Sequence, residues 1–439
     1  MTSAPFGIRL PRVPDQLESG FWNAAVPSLC VVPLQQHTGS RIEPLVDVGD
    51  FVREGMVIAE SARRLSVPLH APIPGRIREI GTTRLFDGTV SPALSIELDG
   101  EFDRLGKRVE PFQWDALDRD ALLQRIRAAG VLCAPRSSVP AHLFLGTRRR
   151  FGPRFLVLDL AETEPYMTGG LEQAVADPEG IIVGLQITAH IIEADHVLVI
   201  IGRGNRRRLA MIRRRARELG YRIRTAPRRY PSIPDRAIRS ILPNVSAEGV
   251  PGDDLFVIAP STLHAIFEAV VYEKPQIDHV IAVGGSAVGR PAHVRVRIGT
   301  AIADILAECG GLTEEPVRIV AGGPITGREI TNINAPVTKS VAAIVAMTDR
   351  EVRAAEQEPC IACGACTRAC PVDIDPQYLL RHIEEGREDD AMRSGLPECI
   401  ECGLCSHVCP SRIPLAGTFR AAKERASTMT DGAVRRGHG

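Results

Sequence analysis

The stretch CIACGACTRACPVDIDP, Cys360–Pro376, decides how this chain is read, together with a near copy, CIECGLCSHVCPSRIP, Cys399–Pro414. They contain eight of the chain's 11 cysteines. The first run is Cys360-x2-Cys363-x2-Cys366-x3-Cys370-Pro371 and the second Cys399-x2-Cys402-x2-Cys405-x3-Cys409-Pro410. Three thiolates at this spacing can wrap one face of an iron–sulfur cubane, while the fourth points toward the neighbouring cluster. The reading therefore places Cys360, Cys363, Cys366 and Cys409 on one [4Fe–4S] cluster, and Cys399, Cys402, Cys405 and Cys370 on a second. Gly364 and Gly403 sit where backbone must approach the inorganic sulfides closely. Zinc sites pair two C-x2-C units across a longer gap, a design that two four-cysteine runs with trailing prolines do not follow. The outlying Cys30, Cys133 and Cys309 read as small buried apolar residues.

The rest of the chain must say what the clusters serve. Its 439 residues are 44% apolar and 24% charged, enough for several packed domains. Lys+Arg and Asp+Glu both total 53, so no global field favours nucleic acid or membrane. Aromatics are only 4%, against a base-stacking platform, and no nucleic-acid partner is expected. The first residues lack a signal-peptide core and no run is apolar for about 18 residues, so a cytoplasmic protein without a spanning segment is expected. In that reducing compartment clustered cysteines read as metal ligands, not disulfides.

The fold expected is multidomain, α/β plus β. Residues 1–108 alternate apolar and polar like a barrel-sandwich β domain; the absence of any Lys before Lys107 removes the lipoyl- or biotin-carrier function of such domains. Residues 109–240 alternate helix and strand, the pattern of a Rossmann-like parallel sheet, with ligands expected at the carboxyl ends of strands. Residues 241–345 read as a β-grasp module whose helix TAIADILAEC ends at Gly310-Gly311. Residues 346–425 form a helical two-cluster ferredoxin-type module, and 426–439 a disordered tail. The Arg-rich segment Arg203–Arg224 could grip an acidic redox partner, an anionic lipid surface or a nucleotide phosphate. Only four of the 53 basic residues are Lys, and the plainer reading is a solvated face in an Arg-biased chain.

In this order the parts resemble the RnfC family, the peripheral cluster-bearing subunits of Rnf ion-pumping ferredoxin:NAD oxidoreductases. The resemblance runs from about Val31 to Ala416 and is carried by VVPLQQHTGSRIEPLVDVGD, ETEPYMTGG, FEAVVYEKP, VRIGTAIADILAECGG, AGGPITG, APVTKSVAAIVAMT and the cysteine runs. More distant likenesses are the cobalamin reductase PduS, the flavoprotein subunit of complex I and the A component of the sodium-pumping quinone reductase. The resemblance implies a complex I flavoprotein-like α/β domain, an SLBB-type β-grasp and electron transfer through the clusters. It also implies membrane-complex partner subunits on the cytoplasmic face and a ferredoxin-like or nicotinamide donor or acceptor. FMN is the further cofactor implied, its site marked by the acidic strand end Glu162, Glu164, Pro165 and Tyr166. The family's Gly-rich flavin loop is here GVLCAPRSSVPAHL, where Pro135, Arg136 and Val139 are expected to crowd the cradle, and a later Gly motif after Tyr230-Pro231 has become SIPDR. Three readings stay open: FMN and NADH binding are lost and the chain is an electron wire, FMN binds in an altered pocket, or another anion binds there. The alternative function is a soluble flavin-dependent iron–sulfur reductase of the PduS kind; a pure docking protein needs only one structural metal.

Overall fold

The computed structural model describes residues 8–10, 17, 19–37, 42–61, 65–102, 110–134, 137–147, 153–161, 164–226, 229–231, 254–352 and 356–436. Two small antiparallel sheets make the first domain. One is ordered Leu29–Pro33, Val90–Leu98, Gly75–Arg84, Phe51–Val52, and the other Glu43–Pro44, Val57–Glu60, Leu69–His70. Alternation along Val90–Leu98 turns Leu94 and Ile96 inward onto Val32, Ile58 and Ile77. Cys30 is one of these core residues; burial pushes its thiol up to about 12.

Next comes a four-stranded sheet, parallel throughout, ordered Arg222–Ala226, His196–Gly202, Arg154–Leu160, Asp254–Ile258. The continuous apolar run of His196–Gly202 fits a strand covered on both faces. Asp118 caps the helix Arg119–Ala128 through Ala121 N at 2.8 Å, and Asp177, followed by Pro178, caps Pro178–Ile191 through Gly180 N at 2.9 Å. Arg154 is buried and anchors its strand by donating to the carbonyls of Ile192 at 2.7 Å and Thr147 at 3.1 Å.

The expected boundary at 240 is corrected. Strand Asp254–Ile258 and helix Pro260–Val271 belong to the α/β domain, where Phe256, Ile258, Leu263 and Ile266 share a core with Leu156 and Ile182. The chain adds strands away from Arg154–Leu160 in one direction, then returns to its other side. Periodicity does not reveal that return, because the long polar segment before residue 254 separates the strand from its sheet.

The third domain is a six-stranded mixed sheet ordered Trp22–Asn23, Ala292–Arg297, Asp278–Gly284, Ala343–Met347, Arg318–Ala321, Arg328–Glu329, with helix Ile302–Glu308 in its core. Its edge strand Trp22–Asn23 comes from before the β domain and pairs with Val294 and Arg295. The last module packs Pro376–Glu384, Glu388–Arg393 and Leu415–Arg436 around Leu379, Leu396, Leu415 and Phe419. Where a disordered tail from 426 was expected, the helix continues to Arg436.

Candidate iron–sulfur sites and the adjoining cleft

Each cysteine run folds into the same backbone. Ala362 and Glu401, at matching places, have φ of 53° and 53°; Gly364 and Gly403 have 68° and 73°; Asp373 and Arg412 have 57° and 55°. A non-glycine residue held in the left-handed region is costly, by ~1–2 kcal/mol, so its recurrence at the same places in both runs marks a built loop. In the first run it aims the Ala362 N–H at Cys360 Sγ, 3.4 Å away. Short helices Ala365–Ala369 and Leu404–His407 follow, and Cys370 and Cys409 lie at their ends.

Cys360, Cys363, Cys366 and Cys409 line one pocket, closed by Gly364, Leu380 and Ile413. The fourth thiol lining this pocket comes from the opposite run. Around the other set, the fields of Cys399 and Cys370 both act on Cys402, and those of Cys399 and Cys402 on Cys405. Burial first, and these neighbouring thiols next, push Cys402 up to about 11 and Cys405 to about 12. Two sets of four soft sulfur donors, each with left-handed loop backbone, fit iron–sulfur cubanes, whose binding must displace the thiol protons.

The two sets differ in surroundings. Cys360 and Cys363 are exposed, as is the neighbouring Ile361 at 67%. The Cys399 loop is gripped: Lys423 Nζ donates to the Cys399 carbonyl at 2.5 Å, Tyr230 Oη to that of Cys402 at 2.6 Å, and Arg420 binds Glu401 at 2.9 Å. Gly403 packs on Ile325; a Cβ there would stand 2.6 Å from Ile325 Cγ2 and 2.9 Å from its carbonyl oxygen.

That contact gives Glu164 its place. Its carboxylate accepts from the N–H groups of Ile325 at 2.6 Å and Thr326 at 2.8 Å, and from the Thr326 hydroxyl. Burial raises its pKa, against these hydrogen bonds. A Cβ on Gly323 would collide with this carboxyl at 2.2 Å, which explains the glycine in AGGPITG. Tyr166, with φ of 66°, is buried and donates to Glu351 at 2.8 Å. Of the strand-end residues expected around flavin, Glu164 lines the cleft described below, Pro165 and Tyr166 do not, and Glu162 lies outside the described residues.

A cleft of about 960 Å³ lies at the carboxyl ends of Arg154–Leu160 and Asp254–Ile258, the point where the strand order reverses. Cys399, Ile400, Glu401 and Cys402 form part of its wall, so it reaches the second set of thiols. Two helices start at it without a side-chain cap, Gly169–Ala176 and Pro260–Val271. Lys339 lines it too. Its Nζ donates to the Gly130 carbonyl at 2.6 Å, meets no carboxylate among the described residues, and is held by burial near pKa 7. Lys274, by contrast, is compensated by Glu268 at 2.8 Å and Asp278 at 3.1 Å.

Among its described residues, the loop after Gly130 puts Cys133, Ala134, Ser137 and Ser138 on the cleft wall. Val139, expected to crowd it, does not line it; its N–H is turned to Ser137 Oγ. Pro135, Arg136 and the segment SIPDR lie outside the described residues. The cleft lies at the strand ends where a ligand was expected, but Lys339 was not found by sequence reading; a Lys in a chain with only four was the available signal.

Comparison with known proteins agrees with this layout. Residues 7–101 match the RnfC barrel sandwich hybrid domain, 280–329 the SLBB domain and 359–413 the 4Fe-4S dicluster domain. The C component of an ion-translocating oxidoreductase complex of Rhodobacter capsulatus is 35% identical over 92% of this chain and 79% of its own. The chain belongs to the RnfC family. Other relatives are the corresponding component of the complex of Klebsiella pneumoniae, 32% identical over 96% of this chain and 57% of its own, and that of a proton-translocating ferredoxin:NAD(+) oxidoreductase complex of Clostridium ljungdahlii, 28% identical over 81% and 79%. This RnfC-family chain carries two [4Fe–4S] clusters in its dicluster domain and is one subunit of a larger complex. Among the described residues no helix is long and apolar enough to cross a membrane.

Proposed function

We propose that this chain is the peripheral electron-relay subunit of an Rnf-type ion-translocating complex, docked on the cytoplasmic face of the membrane. Cys360, Cys363, Cys366 and Cys409 ligate the outer cluster, and Cys399, Cys402, Cys405 and Cys370 the inner one. The observation that carries this is the crossing of the fourth thiol: Cys409 lines the pocket of the first run. Crossed ligation ties the two centres into one unit. One end of that unit reaches the surface beside Ile361, and the other forms part of the cleft wall. The exposed end suits a redox partner of the ferredoxin type or another chain of the complex; the cleft end suits a soluble donor or acceptor.

Of the three flavin readings, the cleft favours FMN in an altered pocket. Its volume is that of a cofactor site, and it adjoins the inner set of thiols. Lys339 and the N–H groups at the two uncapped helix starts would hold the phosphate, and Tyr230 and Glu164 would fix the cluster loop against it. Bound there, FMN would supply the exchange between hydride and single-electron transfer that a nicotinamide partner requires. Anaerobically purified protein should contain about eight iron and eight labile sulfides; zinc in their place ends the relay reading. Flavin released on denaturation supports the altered pocket. Its absence, with intact clusters and no FMN binding, leaves the wire.

A further inference from the structure

The helix Ala210–Glu218 and the turn before it carry seven arginines, three of them paired with carboxylates. Arg208 meets Glu172 at 2.6 Å, Arg214 meets Glu218 at 3.7 Å, and Arg215 meets Glu179 at 3.0 Å and Glu218 at 2.7 Å. These are ordinary compensated charges. Arg206, Arg213 and Arg217 are not. They converge on a separate pocket of about 290 Å³, with Tyr221 and Thr225 beside them, and among the described residues no carboxylate pairs with any of the three. Arg213 donates to the Arg206 carbonyl at 3.2 Å, which fixes its guanidinium in the group. Burial and the charges of Arg206 and Arg217 pull Arg213 below its ordinary pKa. Arg213 and Arg217 also stand four residues apart on the helix, a spacing at which like charges oppose folding.

The plain expectation of a solvated arginine face accounts for the first group and not for the second. The pocket lies near the carboxyl ends of His196–Gly202 and Arg222–Ala226, the side of an open α/β sheet where ligands bind. It shares no lining residue with the large cleft.

We propose that Arg206, Arg213 and Arg217 form a binding site for a diphosphate group. Three converging guanidiniums match its charge, and each planar fork can bind two phosphoryl oxygens. The Thr225 hydroxyl supplies a further donor at the rim. The volume suits a diphosphate and part of a nucleoside, and is too small for a whole dinucleotide. A protein partner would meet a flat patch of paired charge more readily than this concave, unpaired one. The proposal does not depend on the flavin reading.

The test is calorimetric titration of the cluster-loaded protein with ADP, inorganic pyrophosphate and sulfate. Pyrophosphate or ADP should bind with Kd below about 100 μM and weaken as salt rises. Arg213→Gln and, separately, the turn variant Arg206→Gln should weaken binding at least tenfold, while Arg214→Gln, which loses a compensated arginine, should not. Circular dichroism and iron content identify any variant that misfolds. ADP binding tighter than pyrophosphate assigns the site to a nucleotide, and equal binding to the inorganic anion. Sulfate binding as tightly as pyrophosphate means an adventitious ion only. That result, no saturation at millimolar ligand, or undiminished binding by both pocket variants overturns the proposal.

Discussion

The two cysteine runs have one backbone and two environments. Matching left-handed residues and matching helices give equal loops. Yet Cys360 and Cys363 face solvent, while Cys405 is buried and its loop is gripped by Tyr230, Arg420 and Lys423. Spacing thus specifies how a loop wraps a cluster, and the neighbouring domains specify the field the cluster feels. Cluster potential depends on hydrogen bonds, nearby charge and exposure, so two centres of equal ligation are expected to have different potentials.

The sharpest way to break the comparison is to exchange the crossing ligands. Cys409→Ser should lose the outer cluster, bound by the first run, and Cys370→Ser the inner one. Each variant should retain about four of eight irons, with a different reduced-state paramagnetic signal surviving. If Cys409→Ser removed the signal assigned to its own run, the crossed assignment would fail. A smaller effect is expected at the glycines. Gly403→Ala meets Ile325 backbone and side chain and should cost ~1–3 kcal/mol beyond the left-handed strain. Gly364→Ala meets only the flexible end of Arg368, 3.1 Å away, and should cost ~1–2 kcal/mol of that strain alone. Chemical denaturation of the cluster-loaded variants measures the difference.

Lys339 gives a pH test. Its folded pKa, about 7, lies below its ordinary value of 10.5. Between these values the unfolded chain binds more protons, so this residue makes stability rise with pH from about 7 to about 10. The gain is at most ~5 kcal/mol. Lys339→Met should flatten that rise in melting temperature and weaken any FMN binding. An anion that enters the cleft near neutral pH should be taken up together with a proton. The smallest effect should come from Lys423→Met. Removing a cation beside the inner loop should lower that cluster's potential by roughly tens of millivolts, partly offset by Arg420, which remains on Glu401. The outer cluster should not move.

Much of this was legible in the sequence, for local reasons. The cysteine spacings, the helix ending at Gly310-Gly311 and the helix–strand alternation of the α/β domain depend on neighbours in the chain. The role expected for Glu164 was not readable in the same way. A carboxylate after a strand suggests a ligand contact, and only the fold shows it filled by the amides of Ile325 and Thr326. The strand Asp254–Ile258 was missed because its partner lies about a hundred residues earlier, at Arg154–Leu160. The arginines of residues 206–218 look equivalent in sequence, and among the described residues only the placement of Glu172, Glu179 and Glu218 separates those that are paired from the rest.

The sequence by itself determined the eight thiols, the loop around each set of three and the kind of metal centre they suit, because those depend on spacing within one short run of chain. Tertiary structure alone decided which centre is exposed, what charge surrounds it and that the cleft ends at Cys399 and Cys402. Burial and electrostatic fields are set by residues far apart in the chain, and no local pattern records which of them will meet.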